Sequence, residues 1–185
     1  VVLCLDAGTG KELWRDAYPV AFTPVPVARA HKQGPFATPT IAHGKAYTLG
    51  ITGVLSAYEV GSGKLLWRHD FKGEFAKTYP LYGAANSPLV HGQFCIAGIG
   101  GQNDGALAAF DKDTGKRVWQ YRGDGPSYAS PIVAQLAGRW QVVTLMQTRV
   151  VGLALDTGEL LWQVQTGSGI HGSPVTYSVR GKQYI

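Results

Sequence analysis

Apolar and polar positions alternate along this chain in short bursts, each cut off by glycine, proline, aspartate or threonine. The stretch "TPTIAHG" is followed by "KAYTLGI", "GVLSAYEV" and "LLWRHDF", four strand-like runs in a row. The same order returns in "SPLVHG", "QFCIAGI", "GALAAFDK" and "RVWQYRG", and again up to "RVVGLAL" and "LLWQVQTG". Runs of this length, rich in β-branched and aromatic residues and bounded by turn formers, predict antiparallel strands joined by tight turns. No sustained spacing of three to four residues marks an amphipathic helix.

The fourth run of each unit ends a repeat that aligns without gaps: "CLDAGTGKELW" (4–14), "AYEVGSGKLLW" (57–67), "AFDKDTGKRVW" (109–119) and "GLALDTGELLW" (152–162). Each opens on a small residue, Cys4, Ala57, Ala109 or Gly152. An acid follows two positions later in three of the four, Asp6, Glu59 and Asp111, with Ala154 as the exception. Thr9, Ser62, Thr114 or Thr157 then precedes Gly10, Gly63, Gly115 or Gly158, and Trp14, Trp67, Trp119 or Trp162 closes the unit. A second landmark, Pro39, Pro88, Pro131 and Pro174, precedes the following tryptophan by 28, 31 and 31 residues in the first three cases. The distance from each tryptophan to the next proline varies, at 25, 21, 12 and 12 residues. Four antiparallel strands in a unit of 43 residues at its tightest predict an all-β fold, a β-propeller with one blade per repeat. The acid and hydroxyl bond backbone N–H groups of the turn, and the glycine supplies its positive φ. A tryptophan recurring in every unit is architecture, a fastener against the neighbouring blade.

These eleven-residue units resemble the tryptophan-docking motif of the pyrroloquinoline quinone (PQQ)-type propellers, A-x-D-x-x-T-G-x-x-x-W, and the resemblance covers nearly the whole chain. It implies a place in a superfamily of quinoprotein alcohol and glucose dehydrogenases, BamB-type scaffolds of outer-membrane protein assembly, and PQQ-like repeat proteins. The run from "PFATPTIAHG" to "KLLW" looks most like the last group, BamB-like or alcohol-dehydrogenase-like. On this basis 1–18 is a partial blade, 36–71, 83–123 and 127–167 are whole blades, and 171–185 is a second partial blade. Both ends stop in mid-pattern, and the two half-units are together enough to close a four-bladed ring; the larger propellers of the resembled family make a segment of a seven- or eight-bladed ring the expectation.

Composition narrows the functional classes. Lys and Arg number 17 against 12 acids, a net charge of +5, but the basic residues are scattered singly and in pairs. Nucleic-acid binding, which needs a concentrated basic stripe, is not expected. No run of 18 apolar residues predicts a membrane span. Cys4 and Cys95 lie far apart and read as strand residues rather than a metal or redox pair.

As the resemblance implies for the dehydrogenases, PQQ sits on a tryptophan floor, in many members beneath a disulfide of adjacent cysteines. A Ca2+ ion on Glu, Asn and Asp polarises the quinone, and an Asp acts as base. This chain has no adjacent cysteines, and its acids Asp6, Glu59, Asp111 and Asp156 belong to turns. Asn86 and Asp104 are ligand-type residues without a pairing motif. The reading favoured is therefore a non-catalytic scaffold, exported or periplasmic as the resemblance implies. It needs no cofactor and meets protein partners through a loop face or blade edges. The alternative is part of a PQQ- and Ca2+-dependent dehydrogenase whose site lies partly outside the segment; a sensor propeller on a larger chain is a third class.

The variable loops place the candidate binding face. First-to-second and third-to-fourth turns share one end of a blade, so all length variation falls at the other, in 16–35, 72–85 and 98–105. Candidates there are Arg29, His31, Lys32, Tyr79, Tyr82, Asn86, Asn103, Asp104, Tyr128 and His171. His43 and His91 read as turn residues, and Trp140 as packing on a second strand.

Overall fold

The computed structural model describes residues 1–26, 34–165 and 177–184. Among them the chain forms five antiparallel sheets and no α-helix. β1 (Val2–Leu5) pairs with β2 (Glu12–Asp16). Three four-stranded sheets follow. The first is built from β3 (Thr40–Ala42), β4 (Lys45–Leu49), β5 (Leu55–Glu59) and β6 (Leu65–His69). The second contains β7 (Leu89–His91), β8 (Phe94–Gly100), β9 (Gly105–Asp111) and β10 (Arg117–Tyr121). The third contains β11 (Ile132–Leu136), β12 (Arg139–Leu145), β13 (Arg149–Ala154) and β14 (Leu160–Gln165). A last pair joins β15 (Tyr177–Val179) to β16 (Lys182–Tyr184). Within each sheet the strands lie side by side in sequence order.

The second strands turn back on tight hairpins. His43–Gly44, Ala137–Gly138 and Arg180–Gly181 each hold two successive positive φ angles, the geometry that matches the twist of the flanking strands. His43 is thus a turn residue, and His91 ends β7 against the ring of Trp140 on β12. The third-to-fourth turn is closed the same way four times. Gly10, Gly63, Gly115 and Gly158 donate their N–H groups to the carbonyls of Asp6, Glu59, Asp111 and Ala154 at 2.8 to 2.9 Å. Asp6 and Asp111 add side-chain bonds, each accepting from the N–H and hydroxyl of Thr9 or Thr114 at 2.8 and 2.7 Å.

The middle strands explain the long apolar runs of the sequence. β8 is buried throughout because it is covered on both sides, and alternate residues serve different cores. Cys95, Ala97 and Ile99 join Ala106, Ala108 and Phe110 in a cluster with Tyr47, Leu55 and Trp67 of the preceding sheet. Phe94 and Ile96 join Leu107, Ala109 and Trp119 in a cluster with Val142, Val151 and Leu153 of the following sheet. Cys4 is only half-buried, since β1 and β2 form a two-stranded sheet among the described residues.

The tryptophans bridge consecutive sheets. The Trp14 indole N–H donates to the Val60 carbonyl at 2.7 Å, Trp67 to Lys112 at 3.1 Å, and Trp119 to Leu155 at 2.9 Å. Their rings lie over the glycine turn of the next sheet. A Cβ placed at Gly63 would stand 2.5 Å from Trp14, at Gly115 2.7 Å from Trp67, and at Gly158 2.5 Å from Trp119. Within their own sheets the tryptophans sit opposite the small residues: Cys4 faces Trp14, Ala57 faces Trp67, Ala109 faces Trp119 and Gly152 faces Trp162. Trp162 instead donates to Gln141 Oε1 at 2.7 Å, inside its own sheet.

Candidate functional site

The connections between sheets gather with the second-to-third turns at the end of the strands opposite the glycine turns, as an up-and-down order requires. A groove of about 640 Å³ opens there. One wall is the connection after β2, at Thr23 and Val25; the others are the 72–81 connection and the 101–104 turn. The Phe22 ring packs on Tyr79 with centroids 5.3 Å apart, which brings the first connection against the second.

Acids at this end hold loops in place. Asp104 Oδ2 accepts from the Ala76 N–H at 2.8 Å, tying the 101–104 turn to the neighbouring connection. Asp124 Oδ2 accepts from the N–H and hydroxyl of Thr148 at 2.7 and 2.8 Å. Glu74 takes both terminal nitrogens of Arg117 at 2.7 Å and one of Arg122 at 3.0 Å. The Arg117 hydrogen bonds hold the Glu74 carboxyl below its ordinary range, against the opposing effect of burial.

The candidate residues divide accordingly. Asn86 is 2% exposed and faces the strand interior, not solvent. Its Oδ1 accepts from the Gly98 N–H at 2.9 Å and its Nδ2 donates to the Gly98 carbonyl at 3.5 Å. The side chain thus imitates a strand beyond the end of short β7, where Gly98, paired with Leu107 on its other side, would lack a neighbour. Tyr82 and Tyr128 come together, their rings 5.9 Å apart, with the Tyr82 N–H donating to the Tyr128 hydroxyl at 3.3 Å. Burial raises the Tyr128 hydroxyl above its ordinary pKa. Tyr79 and Asn103 line the groove with Asp104. Arg29, His31, Lys32 and His171 lie outside the described residues.

Two features escaped the reading of the sequence. The Glu74–Arg117–Arg122 cluster joins residues 43 and 48 positions apart, with no local pattern to announce it. The second is a set of hydroxyls beside the prolines already singled out. The Thr38 N–H donates to Ser87 Oγ at 2.9 Å, and the Ser87 N–H donates to Ser130 Oγ at 2.8 Å, linking one sheet to the next at the first strand. The signal was present in the Thr or Ser that precedes each proline.

Among the described residues no three His, Cys, Asp or Glu side chains converge. The two ligand-type residues, Asn86 and Asp104, face the backbone of Gly98 and Ala76.

Stacked four-stranded meanders, joined by tryptophans seated on glycine turns, define a repeat β-propeller. The chain belongs to the PQQ-like repeat family: a family profile described as "Outer membrane protein assembly factor BamB" matches residues 1–180. It is 32% identical over 81 residues to the quinoprotein alcohol dehydrogenase PedH of Pseudomonas putida, covering 44% of this chain and 13% of that protein. It is 28% identical over 130 residues to the outer membrane protein assembly factor BamB of Shewanella oneidensis, covering 68% of this chain and 31% of that one. The crystal structure of BamB from Moraxella catarrhalis superposes with a TM-score of 0.60 at 16% identity, over 96% of this chain and 47% of that chain, a likeness of fold. The chain therefore spans less than half the length of each of these proteins.

Proposed function

We propose that this segment belongs to an exported propeller that acts as a protein-interaction scaffold of the outer-membrane assembly type, without a cofactor. The observation that carries this reading is the division of labour at the loop end. Asp104, Asp124 and Glu74 hold loops together, while Leu81 and Tyr82 stand 45% and 41% exposed beside Tyr128. An exposed apolar and tyrosine patch on loops tied down by side-chain hydrogen bonds has the chemistry of a protein contact, where such side chains carry most of the binding energy. The match to the BamB profile along 1–180 supports a partner and a location of that kind.

Alcohol oxidation is the second reading, supported by the likeness to PedH. Its reacting groups would come from outside the described residues.

The full-length protein separates the two. With p-benzoylphenylalanine at position 82, ultraviolet irradiation in the cell envelope is expected to cross-link a component of outer-membrane protein assembly, identified by mass spectrometry. Leu81→Asp is expected to abolish the cross-link. PQQ with Ca2+ is expected to support no dye-linked alcohol oxidation. PQQ-dependent oxidation, with no cross-link at position 82, overturns the scaffold reading.

A further inference from the structure

The groove at the loop end has one wall of an unusual kind. The connection after β2 reads "AFTPVP" over 21–26, with Pro24 and Pro26 alternating with Val25. Thr23 and Val25 each precede a proline, which biases both toward extended backbone, and residues 21–25 lie outside every strand up to the 3-10 turn that begins at Pro26. The backbone groups of Thr23 and Val25 have no hydrogen-bond partner among the described residues. Thr23 itself is exposed. An extended backbone with unpaired N–H and C=O groups is a template for adding another strand.

The facing wall supplies charge. Lys77, Gln102 and Asn103 line the groove, and their side chains have no hydrogen-bond or ionic partner among the described residues. Lys72 stands on the rim, 77% exposed, with Asp70 at 3.4 Å. The single acid in the lining, Asp104, accepts from the Ala76 N–H. Lys77 thus lines the groove unpaired, beside one carboxylate, Asp104, that already has a donor, while Lys72 shares the rim with Asp70, and Tyr79 adds an aromatic face to the same wall. The volume of about 640 Å³ lies in the ordinary range of ligand sites, roughly 300–1,000 Å³.

We infer that this groove receives an extended peptide bearing carboxylates, which lies along 23–25 and sets its acids against Lys77 and Lys72. This rests on the scaffold reading and specifies the partner's chemistry: an acidic, strand-like segment, held by main-chain bonds on one side and by charge on the other. A basic peptide would leave Lys77 facing like charge, and a small anion would leave the extended wall without a partner.

The test uses the full-length protein and two fluorescein-labelled probes read by anisotropy: a Glu-Val-Glu-Val-Glu peptide and its Lys-Val-Lys-Val-Lys counterpart. The acidic peptide is expected to bind and the basic one not to. Lys77→Glu is expected to weaken binding at least about tenfold while leaving the circular dichroism spectrum unchanged, and added salt is expected to weaken it further. Lys77→Arg is expected to retain binding. Equal binding of the two peptides, or binding indifferent to Lys77→Glu, overturns the inference. Because the cross-link at position 82 is read separately, failure here with that cross-link intact removes the acidic-peptide assignment and leaves the scaffold standing. Loss of that cross-link with acidic-peptide binding intact removes the Tyr82 contact and leaves the groove assignment.

Discussion

Gly44 and Gly115 both hold a left-handed backbone in a tight turn, with φ of 72° and 73°, yet their surroundings differ. Nothing lies within 4 Å of a Cβ placed at Gly44, whereas one at Gly115 meets the Trp67 ring at 2.7 Å. An alanine at either position bears the left-handed backbone cost, about 1–2 kcal/mol. Gly115→Ala carries in addition the cost of overpacking against a buried ring, roughly 1–3 kcal/mol more. Urea denaturation of the two variants checks this: Gly115→Ala is expected to unfold at the lower denaturant concentration, and equal midpoints would remove the ring contact from the explanation. The acid of the motif has a lesser part. The Ala154 turn closes with the same backbone bonds as the Asp111 turn, its Gly158 N–H reaching the residue 154 carbonyl at 2.8 Å. The carboxylate decorates a turn that the glycine and backbone already form.

At the level of the element, the connection between β6 and β7 is fixed to β10 by Glu74, through Arg117 and Arg122. Because the Glu74 carboxyl titrates below its ordinary range, the stability it contributes is present above the unfolded pKa and is lost as pH falls through the lowered value. Glu74→Gln is expected to lower the melting temperature at neutral pH, with the gap from the parent closing in acid. A gap that persists unchanged in acid would show that packing, not charge, holds the loop. Strands and turns of this kind were legible in the sequence because their causes are local: alternation, glycine, and a threonine three residues from an acid. The loop end was less so. Loop length alone puts Tyr79, Asn103 and Asp104 on the candidate binding face, and the structure has them lining the groove there. The same reasoning puts Asn86 on that face, because its partner, Gly98, lies across a strand that a linear reading cannot align with it.

Across the molecule, the three four-stranded sheets are joined to one another twice, by tryptophans toward the fourth strand and by hydroxyls at the first. Ser130→Ala is expected to leave the part-buried Ser87 N–H without its acceptor, at a cost of about 1–3 kcal/mol. Thermal melts of Ser130→Ala and of the exposed control Ser62→Ala check this; equal melting temperatures would assign the inner hydroxyls no share in joining the sheets. The repeat itself foretold the stacking, since a tryptophan in every unit has to be accommodated by something in every unit.

The tryptophan contact also has a direction. Trp14 sits on the turn after β5, Trp67 on the turn after β9 and Trp119 on the turn after β13, always donor sheet to the next, never in return. Two different surfaces meet at each joint, and every unit carries both. Such a head-to-tail contact has no built-in last member: it repeats until the accumulated rotation brings the first sheet round to the last. The size of a ring made this way is a property of an angle rather than of any residue.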